Sequence, residues 1–201
     1  MTLINERLQH TLDLIDAANR EDPNLETVDG NSYPKELLYG QRMSAWLARV
    51  EPEPRETWQI AARAQHICRW EIPRDRYPMD RIGYLEWRKR LYRFHADKVG
   101  AIMLQTGYEE SEITEVQRML LKSGIKADAA VQLLEDLACL VFLDHYLNEF
   151  VAKHAHDEAK LIDIVRKTWK KMSERGHAFA GEIALTAEAK QLIGKALAVD
   201  Q

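Results

Sequence analysis

DAAVQLLEDLACLVFLDHYLNEF, residues 128–150, is the body of a helix predicted over 127–153 that is apolar on every side through its middle, and this decides how the rest of the chain is to be read. A helix hydrophobic all round belongs at the centre of a bundle, where neighbours cover each face. Its surroundings carry the matching one-sided patterns. Residues 3–19 put Leu3, Leu8, Leu12 and Ile15 on one stripe, and Glu21-Asp22-Pro23 ends it. A helix over 35–50 carries Leu38, Met43, Trp46 and Leu47 and stops at Pro52 and Pro54. Another over 55–70 is closed off by Pro73. Further helices are predicted over 84–106, closed by Gly107, over 110–123, closed by Gly124, and over 157–173 and 185–197. Two-residue alternation is not evident anywhere. The turn-forming stretch Asp22 to Pro34 reads as a loop, and residues 71–83 as a linker. The expectation is a single all-α domain over 1–201, a bundle of eight or nine helices in which 173–201 forms a peripheral C-terminal part.

Composition bounds the function. With 46% apolar and 30% charged residues and a net charge of −4, 201 residues can bury about 70% of their unfolded surface without staples. Two cysteines, Cys68 and Cys139, are too few for a disulfide framework and lack the spacing of a thiolate metal site. No apolar run reaches the roughly 18 to 20 residues that span a bilayer, and MTLINERLQH lacks a basic-then-apolar leader. A cytoplasmic protein with no membrane partner is expected.

The charge is uneven. Eight of the sixteen arginines lie between Arg63 and Arg93, so segment 63–98 is basic while the rest of the chain is acidic. Arginine captures phosphate or carboxylate bidentately, and Trp70, Tyr77, Tyr84, Trp87 and Tyr92 interleave with these arginines. Stacking plus phosphate capture would also suit single-stranded nucleic acid. The negative total charge and the lack of a readable nucleic-acid module favour a small anionic ligand instead. Within the central helix, Glu135 and Asp136 sit in the most apolar stretch of the chain. A buried carboxylate must find a cation, a metal or hydrogen-bond donors. His66, in AARAQHICRW, and His95, one turn after Leu91, join Asp136 as a candidate set for zinc, manganese or iron, since imidazole and carboxylate suit those ions. No glycine-rich phosphate loop or nucleophile elbow is present.

The strings YGQRMSAWLARV, AARAQHICRWEIPRDRYPMDRIGYLEWRKRL, LLEDLACLVFLDHYL and KTWKKMSERGH together resemble the family catalogued as domain of unknown function 4202. The order of elements is also similar, more remotely, to the helical metal-dependent phosphohydrolases named for a His-Asp dyad. There Gln65-His66 stands where His-Asp would, and YGQRMSAWLA offers Tyr39 and Gln41 where an opening histidine would stand. That resemblance implies an HD-like fold in which His66, His95 and Asp136 hold a divalent metal and Glu135 moves a proton. Arg69, Arg74, Arg81 and Arg88 would take phosphate, and Trp70, Tyr84 or Trp87 would stack on a base. The function so implied is binding, with metal-assisted hydrolysis as its catalytic form, of a phosphorylated, nucleotide-like small molecule. A non-catalytic sensor or binding protein for an anionic ligand is the alternative, followed by an RNA-associated protein. Oligomeric state is not legible.

Overall fold

The structure, a computed structural model, describes residues 6–198, so Leu3 of the first predicted stripe lies outside the described residues. The chain divides into two compact units, the first ending at Ile125 and the second beginning at Lys126. Both are helical, with ten α-helices and one small hairpin among the described residues.

The first unit comprises α1 (Glu6–Arg20), a hairpin of β1 (Leu25–Val28) and β2 (Asn31–Pro34), α2 (Lys35–Val50), α3 (Glu56–Arg63), α4 (Arg81–Gln105) and α5 (Glu110–Leu120). Its core gathers Ile15 of α1, Met43, Trp46 and Leu47 of α2, Ile60 of α3, Leu91, Val99 and Met103 of α4, and Val116 and Met119 of α5, all buried. The hairpin replaces the loop expected over 22–34. Val28 pairs with Asn31, and Asp29 and Gly30 between them both have positive φ, 50° and 79°. That is the two-residue turn an Asp-Gly pair favours, because its twist matches the flanking strands. Arg42 of α2 pins the hairpin by donating to Glu26.

Helix α3 ends at Arg63, not near residue 70 as the apolar spacing predicts. Two groups from other elements claim the backbone that would have continued it. The Asn19 side chain of α1 accepts from Cys68 N at 2.9 Å, and the His95 ring of α4 takes the Ile67 carbonyl at 2.8 Å. Cys68 is driven to φ 51° in consequence, and His66 lies in this turn rather than in a helix. Residues 69–76 follow as two short 3₁₀ turns, and α4 opens at Asp80, whose carboxylate accepts from Gly83 N.

Gly40 sets the approach of α2 to the end of α3, since a Cβ there would lie 2.7 Å from the backbone oxygen of Arg63. Backbone cannot move aside as a side-chain tip can. Gly40→Ala is expected to cost about 1–3 kcal/mol through this clash, despite alanine's better helix propensity, and urea denaturation measures it. A neutral or stabilising result would mean that α2 and α3 are not this close.

The second unit holds α6 (Ala129–Val141), a π-helical turn at Phe142–Tyr146, α7 (Leu147–Lys153), α8 (Glu158–Lys171), α9 (Glu174–Ala180) and α10 (Ala187–Ala198). The predicted central helix is thus α6 and α7 joined through the π turn. Leu134, Leu137, Leu140, Val141, Leu143 and Leu147 are all buried, as an all-round apolar helix requires. Ala189, Leu192 and Ala196 anchor α10 as a packed element. No described helix is long and apolar enough to cross a membrane.

Candidate anion-binding site

The chemistry-bearing side chains of the first unit collect around His66. Asp22 prepares the start of α2: its Oδ2 accepts from Glu36 N at 3.0 Å, capping a helix whose N-cap residue, Pro34, offers no side-chain acceptor. Buried Asn19 reaches the Glu36 carbonyl from the other side at 3.4 Å. These contacts hold the Glu36 carboxylate, 7% exposed, against His66, with Oε2 3.2 Å from Nδ1. On the far side of the ring, Arg69 Nη1 lies 3.2 Å from Nε2. A guanidinium only donates, so Nε2 must carry the lone pair and Nδ1 the proton, which it gives to Glu36. Tyr39, one turn along α2 from Glu36, stacks on the imidazole with centroids 4.0 Å apart and planes 12° from parallel. Tautomer and ring plane are therefore both set.

Burial pushes the His66 pKa well below its ordinary value, and the charges of Arg69, Lys122, Arg88 and Lys35 push it further the same way. His95, 2% exposed, lies behind, its ring centroid 6.0 Å from that of His66. Burial, then its proximity to His66, lowers its pKa to about 3. It too is neutral. Its Nδ1–H donates to the Ile67 carbonyl, leaving the buried Nε2 without a hydrogen-bond partner. Glu36 is raised above the ordinary carboxylate value, because desolvation outweighs the pull of Arg69, Lys35 and His95. The cluster combines a buried carboxylate, two neutral imidazoles and four cations.

Glu36 and Arg69 also form part of the wall of a cleft of about 750 Å³, lined further by Lys35, Trp70, Arg74 and Trp87. That size falls within the range of small-molecule sites. Arg69 stacks over Trp87 at 4.7 Å, and the Trp87 indole N–H is fixed by the Ile72 carbonyl at 2.8 Å. Four residues of the predicted binding set, Arg69, Trp70, Arg74 and Trp87, thus meet at one cleft. Arg74, however, donates to the carbonyls of Tyr77, Pro78 and Asp80, so it braces the linker ahead of α4. Arg88 donates to Tyr92 and acts on His66 through its charge. Arg81 and Tyr84 are exposed and do not line the cleft.

Glu135 and Asp136 belong to the second unit, where partners from that unit hold both. Asp136, 4% exposed, accepts from Ser173 N at 2.8 Å, from the Ser173 hydroxyl and from Gln132 Nε2 at 2.9 Å. Glu135, 3% exposed, pairs with Lys171 at 3.4 Å. Among the described residues, no three His, Cys, Asp or Glu side chains gather as they would around a metal ion. The His66 cluster does not fit a divalent cation by its own chemistry, because an arginine already occupies Nε2 and three more cations act on the ring. Both cysteines are buried and outside any disulfide, and burial pushes the Cys68 thiol up to about 11, away from the reactive thiolate.

Sequence reasoning missed Glu36 and Lys35. The signal was present, since Glu36, Tyr39, Gly40 and Met43 follow the i, i+3, i+4, i+7 spacing of one buried helix face. A carboxylate on that stripe asks for a partner as pointedly as Asp136 does. No curated protein and no solved structure matches the chain. The model of the family described as domain of unknown function (DUF4202) matches residues 9–193, and the chain belongs to that family.

Proposed function

We propose that the first unit binds a phosphorylated small molecule of nucleotide size in the cleft between Glu36, Arg69, Trp70 and Trp87. The observation that carries this reading is the gathering of Lys35, Arg69, Arg88 and Lys122 around a neutral His66 whose two partners, Glu36 and Arg69, stand in the wall of a cleft with two tryptophans. Cations gathered around an uncharged ring favour an incoming anion, and arginine is the side chain whose fork matches phosphate. Trp70 and Trp87 offer faces on which a planar ring can stack. The cleft, about 750 Å³, has the size of a small-molecule site.

The test is thermal unfolding of the full chain with millimolar AMP, adenosine, inorganic phosphate or a short single-stranded RNA. AMP and phosphate are expected to raise the midpoint, AMP more than phosphate, and adenosine to act weakly. Arg69→Ala is expected to weaken AMP binding about tenfold or more, the scale of one charge-assisted hydrogen bond. No shift with any probe would overturn the reading. A shift with RNA alone, falling steeply with salt, would replace it with nucleic-acid binding.

A further inference from the structure

We infer that Glu36 and His66 form an acid–base dyad that hydrolyses the phosphorylated ligand of this cleft, with His66 Nε2 as the base and Arg69 as its release. The inference rests on the cleft being a phosphate site. Glu36 accepts the Nδ1 proton and Tyr39 holds the ring plane, so the one lone pair left for chemistry is Nε2. In the structure Arg69 Nη1 covers that lone pair at 3.2 Å, and Arg69 is also part of the cleft wall. A phosphate is a stronger acceptor for a guanidinium than a neutral imidazole is. An anion entering the cleft therefore draws the Arg69 donor onto itself and uncovers Nε2 for a water. Ligand binding and exposure of the base become one event.

The step balances without any further reactant. Water gives one proton to His66 Nε2 as its oxygen bonds to phosphorus. The phosphorus–oxygen bond to the leaving group breaks, and the leaving oxygen departs with the electron pair. The imidazolium formed is stabilised by the Glu36 carboxylate at Nδ1, and it returns the proton to the leaving oxygen. Lys35 and Arg69, in the cleft wall, stabilise the charge that spreads over the phosphoryl oxygens. With Arg88 and Lys122 they keep the resting ring neutral, and the bound anion offsets their field so that Nε2 can take the proton. Glu36 is a positioning residue here, and His66 is the catalytic one.

The experiment measures inorganic phosphate release from nucleoside mono-, di- and triphosphates and p-nitrophenyl phosphate by the full chain, with EDTA present throughout. At least one probe is expected to be hydrolysed in EDTA, with a rate that falls as acid protonates His66. His66→Asn is expected to lower kcat about 100-fold or more, the scale of general-base catalysis, with affinity by thermal shift changed less than about threefold. Glu36→Gln keeps an acceptor for Nδ1–H but removes the charge, so kcat should fall while KM does not rise, because a carboxylate leaves the wall of the anion cleft. If His66→Asn unfolds, His66→Gln serves in its place, and the wild-type pH profile in EDTA needs no variant. Binding without release from any probe overturns the dyad and leaves the phosphate site standing. Release that EDTA abolishes, or that survives loss of His66, overturns the dyad as well. Absence of binding overturns both readings together.

Discussion

Asp136→Ala is expected to destabilise the protein by about 3–4 kcal/mol in urea denaturation, one of the largest single-site losses the structure contains. The carboxylate is buried and accepts from the Ser173 backbone, the Ser173 hydroxyl and Gln132. Gln132 in turn donates to the Lys171 carbonyl at 3.0 Å, and Ser173 Oγ caps α9 by accepting from Gly176 N at 3.1 Å. Removing the acceptor strands half-buried donors on α6 and at the α8–α9 junction together, and each stranded donor costs more than a hydrogen bond gains. Asp136→Asn keeps one oxygen for Ser173 N and should recover about half of the loss. Gly176 offers an independent check, because a Cβ there would come within 2.9 Å of the Asp136 carboxylate. Gly176→Ala should therefore destabilise in the same direction. A loss under about 1 kcal/mol for Asp136→Ala would show that this carboxylate is kept for something other than holding α9.

Acid is expected to destabilise the first unit well before ordinary carboxylates protonate. His95 titrates near 3 in the folded protein against about 6.5 when unfolded. Between those values the unfolded chain binds a proton that the native chain refuses, so stability rises with pH. The contribution is complete above about pH 6.5 and is lost as pH falls toward 3, at up to about 1.4 kcal/mol per pH unit. His66, lowered well below its ordinary value, works in the same direction. Glu36 opposes them. Its raised pKa means that the native state takes up a proton more readily than the unfolded chain does, so its stabilising contribution grows as pH falls. His95 alone gives a loss of about 2 kcal/mol between pH 7.5 and pH 5, to which His66 adds and from which Glu36 subtracts. His95→Gln should flatten the curve by about 1.4 kcal/mol per pH unit, and urea midpoints across that range measure it. Stability that is flat or rising on acidification would contradict the assignment of both rings as neutral.

The helices were legible because each buries a stripe, and period 3.6 survives in the sequence wherever one face meets the core. The hairpin over 25–34 was not, because its side chains are exposed or half-buried on both faces, so no apolar alternation was selected. Only Asp29-Gly30 marked it. The premature end of α3 was invisible for a different reason. Ile60, Ala64 and Ile67 keep helical spacing, yet the backbone is diverted by Asn19 and His95, residues distant in the chain. Local propensity lost to tertiary hydrogen bonds. At the site, the arginine-rich segment pointed to Arg69, Trp70, Arg74 and Trp87, which share one cleft wall. It could not separate Arg69, held on His66, from Arg74, spent on three carbonyls. For Asp136, read as a metal ligand and catalytic carboxylate, the apolar sequence around it shows only that it needs partners. That those partners are a backbone N–H, a hydroxyl and an amide within its own unit is a fact of packing that no spacing rule encodes.

Imidazole-detected ¹H–¹⁵N NMR of the full chain, titrated with inorganic phosphate near neutral pH, tests the anion site most directly. The free protein should show His66 as a neutral ring with the proton on Nδ1, held by Glu36, and its Nε2 accepting from Arg69. Phosphate should draw Arg69 away, so that His66 Nε2 shifts progressively and saturably while His145 and His177, in the second unit, stay unmoved. A His66 signal indifferent to phosphate, or a uniform drift of every histidine, would contradict the phosphate site.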